Sequence, residues 1–531
     1  MLTAVCALTL APALASACGG MFCDNAQPVT QTAERILFAR EGARMHMIVQ
    51  ITYQGPPTEF GWLLPAPGDV ETAVSSAQLF ATLDARFRPT FQLETVLAAD
   101  CGQPPAPDGG PLGGWSDDSS GAGGGGGEAP VVVLSREPIG PYDRAILRAG
   151  SVEALIGWLD ENAYQVPEGA EARLQPYVDL GLAFVAIKLL PGQGSRDIVP
   201  LQLTFTSDSP AIPLRPTAVA AEPDTGVIVH LLGKARAVPT NFAHLQLNEA
   251  AIDWRGRGGN YADVVSQAAD EAGGHGFVTD FAGRFEWVDL RTFSDDTLGA
   301  VEQADTFNAL QRAIPIDISD SDLLRVLQSS LVSEEIPVGQ LIGCPDCYGG
   351  LEVDGPALAA RLEAEYNAPR REVNRLVAAN PYLTRLFTTM SPAEMDRDPI
   401  FAFNPDLEPV SNVHQATQHV GCAPEGGYDF ANAVIELSNG QRVIEQRGEV
   451  IVRQGGETIR GLGVRAAALV EQQHATGQPE PILDHRAQLT HHYTAGLNTG
   501  SEGGCDCDTT GDAPGPMILL LGLGVLALRR R

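Results

Sequence analysis

The chain carries 66 acidic and 35 basic side chains in 531 residues, a formal net charge of −31. A field of that sign repels phosphate backbones and argues against nucleic acid as a partner. The length allows more than one core, and lysine is confined to Lys188 and Lys234, as GC-biased coding or an acidic surface suited to salt would each produce.

In chain order, Leu2 to Ala17 are apolar or small. This stretch is too short to span a bilayer. Ala15 and Ala17 make the small-x-small pattern that a signal peptidase requires before Cys18. Residues 1–17 therefore read as a signal peptide cleaved between Ala17 and Cys18, although no Lys or Arg precedes the apolar stretch. A lipoprotein signal would also leave a cysteine first, but it favours leucine where Ala15 stands. Cys18 thus reads as a disulfide partner rather than a lipid anchor, as expected in an oxidising compartment.

Alternation predicts paired strands from Arg35 to Arg40 and from Met45 to Tyr53 around a Glu-Gly turn. "EFGWLLPAPG" ends a third strand at a proline-rich corner, and "VETAVSSAQLFATLDARF" has apolar residues at helical spacing. "FQLETVLAAD" and "PVVVLSREPIGPYDRAILRAG" read as strands. Between them, residues 101–130 are rich in Gly, Pro and Ser and cannot build a core. That segment is expected to be a disordered loop inside one domain, because the chain resumes as a strand and a longer loop costs little entropy.

"SVEALIGWLDENAY" is an amphipathic helix capped by Ser151 with Glu153 and Glu161 outward, and "GAEARLQPYVDLG" is a second helix. Strands follow in "LAFVAIKLLPG", "IVPLQLTFTSDSP", "GVIVHLLGKARAV" and "FAHLQLNEAAIDW". Residues 18–295 are thus predicted to be an α+β domain on a largely antiparallel sheet. Residues 296–400 read as mostly helical, from "TFNALQRAI", "SDLLRVLQSSLV" and "GPALAARLEAEYNAPRREVNRLVAANPYLTRLFTTM". Residues 401–500 form a mixed α/β C-terminal region with a short β section, "ANAVIELSNGQRVIEQRGEVIVRQ", turning at Asn439-Gly440.

Residues 501–531 hold Cys505 and Cys507, an apolar run from Met517 to Leu528, and Arg529, Arg530 and Arg531. The run is short for a span, and the arginines would stay cytoplasmic. The order of these parts resembles a bacterial MYXO-CTERM sorting tail. That resemblance implies a short transmembrane helix, transient membrane contact, and processing by a membrane protease near Cys505 and Cys507. A plain tail anchor is the alternative.

Of nine cysteines, Cys6 lies in the signal peptide and two in the tail, leaving Cys18, Cys23, Cys101, Cys344, Cys347 and Cys422. An even number in an exported chain points to disulfides, with the connectivity open. Cys344, Cys347, His419 and Cys422 could instead make a Cys₃His zinc site, or Cys344 and Cys347 an exchange pair. Zinc needs reduced thiols, so disulfides are the expectation. Cys422 as a nucleophile near His414 and His419 has no supporting signature. His275, set among glycines in "DEAGGHGFVTD", reads as a turn residue. Gly461-x-Gly463-x-x-Ala466 reads as a glycine turn before a helix, not a dinucleotide site. "DCDTTGD", Asp506 to Asp512, is not an EF-hand loop, because Met517 stands where the closing carboxylate is needed. His491 and His492 would point to opposite faces of a strand. No Gly-x-Ser-x-Gly, His-Glu-x-x-His or P-loop occurs.

The succession "ACGGMFC", "PVTQTAERILFAREG", "MHMIVQITYQG", "FGWLLPAPG", "YDRAILRAGSVEALIGWLDENAYQVP", "PYVDLGLAFVAIKL", "PLQLTFTSDSPAIPLRPTA" and "NYADVVSQAADEAGGHGFVTDFAG" resembles the bacterial domain of unknown function family 2330, found in exported proteins. "PIFAFNPDLEPVSNVHQAT" extends the likeness, so that it covers most of residues 17–420. The resemblance implies export and places Cys18 and Cys23 within the domain; it brings no activity, cofactor or catalytic residue. The expected function is an exported, envelope-associated surface binding or structural protein with no cofactor. Its expected partners are a signal peptidase and a tail-processing protease. A thiol-disulfide exchange enzyme, a hydrolase with an unrecognised site, and a zinc-stabilised scaffold are the alternatives.

Overall fold

The computed structural model describes residues 33–51, 60–99, 101, 131–191, 193–194, 197–219, 221–317, 319–331, 338–446, 449–454, 457–460, 465–487 and 489. Outside them lie residues 1–17, where a signal peptide ending at Ala17 is expected, then Cys18, Cys23, residues 102–130, the glycines at 461 and 463, His491, His492 and residues 501–531 with Cys505 and Cys507.

The first two strands, β1 (Ala33–Glu41) and β2 (Arg44–Ile51), form the expected hairpin, turning at Gly42 with a φ of 62°. Next come β3 (Gly61–Ala66), β4 (Glu71–Val74), α1 (Ala77–Phe87), β5 (Thr90–Leu97), β6 (Val132–Ile139) and β7 (Tyr142–Arg148). The helical spacing read over 70–87 holds only from Ala77. Ser76 caps α1 by accepting the Gln78 N–H, and the residues ahead of it are extended. Helix α2 (Val152–Glu161) is capped by Ser151, which accepts the Ala154 N–H, and α3 (Ala170–Asp179) follows. The chain continues through β8 (Ala183–Leu189), β9 (Leu201–Thr206), β10 (Thr225–Gly233), β11 (Arg236–Pro239), β12 (Ala243–Leu247), α4 (Tyr261–Glu271) and β13 (Gly276–Arg284).

The helical region comprises α5 (Asp295–Glu302), α6 (Phe307–Ala313), α7 (Ser321–Leu331), α8 (Val338–Gly343), α9 (Gly355–Arg361) and α10 (Ala368–Ala379). It ends at Asn380-Pro381, earlier than the apolar spacing indicated. Proline lacks the N–H a helix needs and disfavours helical backbone before it. The residues beyond form β14 (Tyr382–Met390), buried along its whole length. The last strands are β15 (Phe401–Asn404), β16 (Val413–Cys422), β17 (Tyr428–Leu437), β18 (Arg442–Gln446), β19 (Glu449–Gln454), β20 (Glu457–Arg460), β21 (Ala467–Gln472) and β22 (Glu480–Asp484). The helix expected after Ala466 is therefore the strand β21.

The fold is a mixed α+β architecture. Among the described residues, a ten-stranded sheet runs β22-β21-β12-β13-β14-β10-β1-β2-β9-β4, a six-stranded sheet runs β20-β19-β18-β17-β16-β5, and a four-stranded sheet runs β3-β8-β7-β6. Pairing is antiparallel except for β1 with β10, β12 with β13, and β5 with β16. The large sheet is covered on both faces, which strand alternation makes explicit. Ile36 and Phe38 of β1 enter the core shared with the four-stranded sheet, where Trp62, Leu64 and Val185 meet them. Leu37 and Ala39 enter the opposite core with Leu79 and Phe80 of α1 and Leu376 of α10. Helices α2 and α3 cover the outer face of the four-stranded sheet through Leu155, Trp158 and Leu174.

Among the described residues, no helix is long and apolar enough to cross a membrane. This corrects the transmembrane and membrane reading; the apolar run from Met517 to Leu528 lies outside those residues.

Glu34, near the start of β1, is 4% exposed, and burial raises its carboxyl from the ordinary value to about 7. The folded chain then holds a proton that the unfolded chain has lost, so stability falls as pH rises from the ordinary carboxylate range to about 7. Below that window both states are protonated and the penalty vanishes. Glu34→Gln is expected to raise stability by about 1–3 kcal/mol at pH near 8 and to change little near pH 4. Urea unfolding of both proteins at the two pH values checks this.

Candidate functional site

The parallel strands β12 and β13 pair only from Ala243–Leu245 to Gly276–Val278, then part. Crevices beyond the carboxyl ends of parallel strands are where open sheets commonly bind ligands. Two adjoining cavities lie here. A chamber of about 510 Å³ is lined by Arg236, His244, Thr279, Asp280, Glu249 and His414. A groove of about 900 Å³ is lined by Arg88, Arg255, Arg257, Arg385 and Trp254. Phe91 of β5 and Tyr261 of α4 line both.

The loop of residues 253–260, "DWRGRGGN", lends Trp254, Arg255, Arg257 and Gly258 to the groove. Asp253 Oδ1 accepts the Gly256 N–H at 2.6 Å, and Asn260 Oδ1 accepts the Asp253 N–H at 2.8 Å. Asn260 Nδ2 donates to the Ala251 carbonyl at 2.9 Å, which closes the loop. Gly258 has a φ of 77°, and a Cβ there would stand 2.2 Å from Cδ2 of Phe91. Only glycine lets the loop close this tightly on the ring. Phe91 packs edge-on to Trp254 at 5.4 Å and stacks on His414 at 4.8 Å.

The floor carries a buried ionic network. Arg385 of β14 donates to Asp280, which also accepts the Tyr261 hydroxyl. Arg385 lies 3.5 Å from Asp84, which Arg35 meets at 2.8 Å. Arg385 is thus neutralised, and Arg255 donates to the Phe430 carbonyl. Among the described residues, no carboxylate side chain lines the groove. Arg88 and Arg257 therefore make a positive site on a protein whose overall charge is −31.

The chamber holds a second network. His244 Nδ1 is 2.9 Å from Glu471 Oε1, and His244 Nε2 is 2.9 Å from Thr279 Oγ1. Arg236 Nη2 donates to Thr279 Oγ1 at 3.2 Å and lies 3.3 Å from His244 Nε2. Burial lowers the His244 pKa, and Glu471 only partly offsets this. Burial works against the Glu471 carboxylate, but the hydrogen bonds from His244 and the Gln473 amide help hold its pKa below the ordinary value. A neutral imidazole donating from Nδ1 to an ionised carboxylate satisfies both groups. Across the chamber, His414 Nδ1 meets Glu249 Oε1 at 2.7 Å.

The described cysteines, Cys101, Cys344, Cys347 and Cys422, fall outside these cavities' linings. Cys101, just past β5, is bonded to Cys422 at the end of β16, and Cys344 is bonded to Cys347. The Cys₃His set is not assembled, because each of its thiols is oxidised. Among the described residues no group of three or more His, Cys, Asp or Glu is placed to hold a metal. His419 lies 3.8 Å from Glu436, and Cys422 carries no free thiol for it to activate. His275 follows Gly273 and Gly274, both at positive φ, and its Nε2 donates to the Glu394 carbonyl and Asp396 at 2.9 Å each. Of the histidines singled out by sequence, His414 reaches the chamber and His419 lines a separate cavity of about 520 Å³.

Residues 12–317 match the profile of a family described as an uncharacterized protein conserved in bacteria, DUF2330, over more than half of the chain. The chain belongs to the DUF2330 family. No curated protein and no solved structure matches it. The DUF2330 span contains Arg88, Phe91, the 253–260 loop, Arg236, His244, Thr279 and Asp280. Arg385, His414 and Glu471 come from beyond it, as does the 399–417 stretch that resembled the family. The cavities are therefore built by the DUF2330 region together with the C-terminal strands. Sequence reasoning missed the groove, although alternating Arg and Gly in "WRGRGG" is conspicuous in so acidic a chain. For His244 there was no local signal, since its partners stand at 279 and 471.

Proposed function

We propose that this DUF2330 protein is exported and works at the cell envelope as a binding protein for an anionic ligand held in the groove. The observation that carries the reading is the pair Arg88 and Arg257 beside Phe91, Tyr261 and Phe387, with no carboxylate side chain among the described residues lining the site. Guanidinium forks match carboxylate and phosphate oxygens, and aromatic rings supply an apolar face for the rest of the ligand. Export is supported by the signal-peptide pattern ending at Ala17 and by two disulfides, which persist in oxidising compartments. In this reading signal peptidase releases Cys18 as the first residue. The tail acts as a MYXO-CTERM-like sorting signal, processed near Cys505 and Cys507.

Isothermal titration of the disulfide-bonded chain with oligogalacturonate, a carboxylate-rich probe, tests the reading. Saturable binding that weakens as salt is raised is expected, with no binding of a neutral oligosaccharide of equal length. Equal binding of both, or of neither, overturns it.

A further inference from the structure

The chamber beside the groove does something a binding site does not require. Glu471 of β21, His244 of β12 and Thr279 of β13 form a continuous carboxylate–imidazole–hydroxyl relay with both hydrogen bonds at 2.9 Å. His244 and Glu471 are register partners on adjacent strands, so the sheet itself sets their separation. With Nδ1–H given to Glu471, the Nε2 lone pair faces the Thr279 hydroxyl, the tautomer a general base needs. Arg236 Nη2, 3.2 Å from Thr279 Oγ1, favours the oxygen in its deprotonated form. His244 and Thr279 also border a chamber of about 510 Å³.

The backbone adds a further element. The β13–β14 register shifts between Thr279 and Phe281, leaving Asp280 without a register partner on β14, and pairing with β12 has already ended at Val278. Bulges of this kind recur next to active sites, where they re-aim groups. Here the bulge sets the Asp280 peptide immediately after the hydroxyl-bearing residue.

We infer that this chamber is an ester-hydrolysing site in which Thr279 is the nucleophile, His244 the general base and acid, and Glu471 a positioning residue. The substrate class is an ester of a short acyl group, since the chamber that Thr279 borders holds only about 510 Å³. Thr279 Oγ1 attacks the ester carbonyl carbon while its proton passes to His244 Nε2. The carbonyl carbon's bond to the alcohol oxygen then breaks, and that oxygen leaves with the proton from His244. Water attacks the acyl-threonine and gives a proton to His244. The bond from the acyl carbon to Oγ1 breaks, the proton returns to Oγ1, and a carboxylic acid departs. Ester and water become acid and alcohol, with no other reactant. Glu471 remains ionised and stabilises the imidazolium while it lasts. The inference stands independently of the groove's ligand.

Incubating the full chain with a fluorophosphonate probe, followed by intact mass and peptide mapping, tests the assignment. One probe adduct on the Thr279 peptide is expected. Thr279→Val, which keeps the shape and loses the hydroxyl, should abolish it, and Thr279→Ser should retain it. His244→Gln should slow labelling by at least about 100-fold. Glu471→Gln should slow it and lower its pH midpoint, and Glu471→Asp should recover part of the rate. Circular dichroism of each variant separates loss of chemistry from loss of fold. No adduct on the folded wild type, an adduct mapped elsewhere, or labelling unchanged in Thr279→Val overturns the inference.

Discussion

Asp280→Ala is expected to cost about 3–5 kcal/mol of folding stability, because it strands a buried guanidinium. Arg385 is 5% exposed and Asp280 1% exposed, in the middle of the largest sheet. Without Asp280, the carboxylate left to Arg385 among the described residues is Asp84 at 3.5 Å, already engaged by Arg35. The Tyr261 hydroxyl also loses its acceptor. The cost comes from desolvated charge rather than lost packing, and this can be separated. The double variant Asp280→Ala with Arg385→Met removes both charges among apolar neighbours such as Ile228 and Phe387, and should recover most of the loss. Denaturant unfolding of the wild type and both variants checks this. A double variant no more stable than the single would refute the desolvation account.

Removing the Cys101–Cys422 bridge should cost about 2–5 kcal/mol, by the entropy it denies the unfolded chain. The two cysteines are 321 residues apart in sequence, and the parallel pair they clamp, β5 with β16, carries Phe91 and His414 into the cavities. Cys101→Ser with Cys422→Ser should therefore lower the unfolding midpoint and loosen this wall. The bridge between Cys344 and Cys347 spans a separation of only 3, so it closes almost no loop. Its double serine variant should melt close to the wild type. Calorimetric scans of the two double variants, side by side, test the contrast; equal shifts would contradict it.

Local signals in the sequence translated into structure wherever one element was self-sufficient. The β1–β2 hairpin, the Ser151 cap and the turn at Gly440, with its φ of 81°, each depend on a few adjacent residues. Strand β14 did not announce itself. It is buried on both faces, so "YLTRLFTTM" shows no alternation to distinguish a strand from a buried helix. The cysteine pairing was equally invisible, because nothing in the neighbourhood of residue 101 points to residue 422. The candidate site lay furthest from view. His244, Thr279 and Glu471 sit on separate strands, and each reads in isolation as an unremarked polar residue. The groove was missed as well, although its Arg-Gly loop is continuous and its sign opposes that of the chain.

The most direct test of that groove is charge reversal of its arginine pair. Arg88→Glu with Arg257→Glu alters two exposed side chains and leaves the buried Arg385 network in place. Titrated calorimetrically with oligogalacturonate, the double variant should bind at least about 10-fold more weakly than the wild type, with an unchanged unfolding midpoint. Undiminished affinity would contradict the assignment of the groove as an anion-binding site.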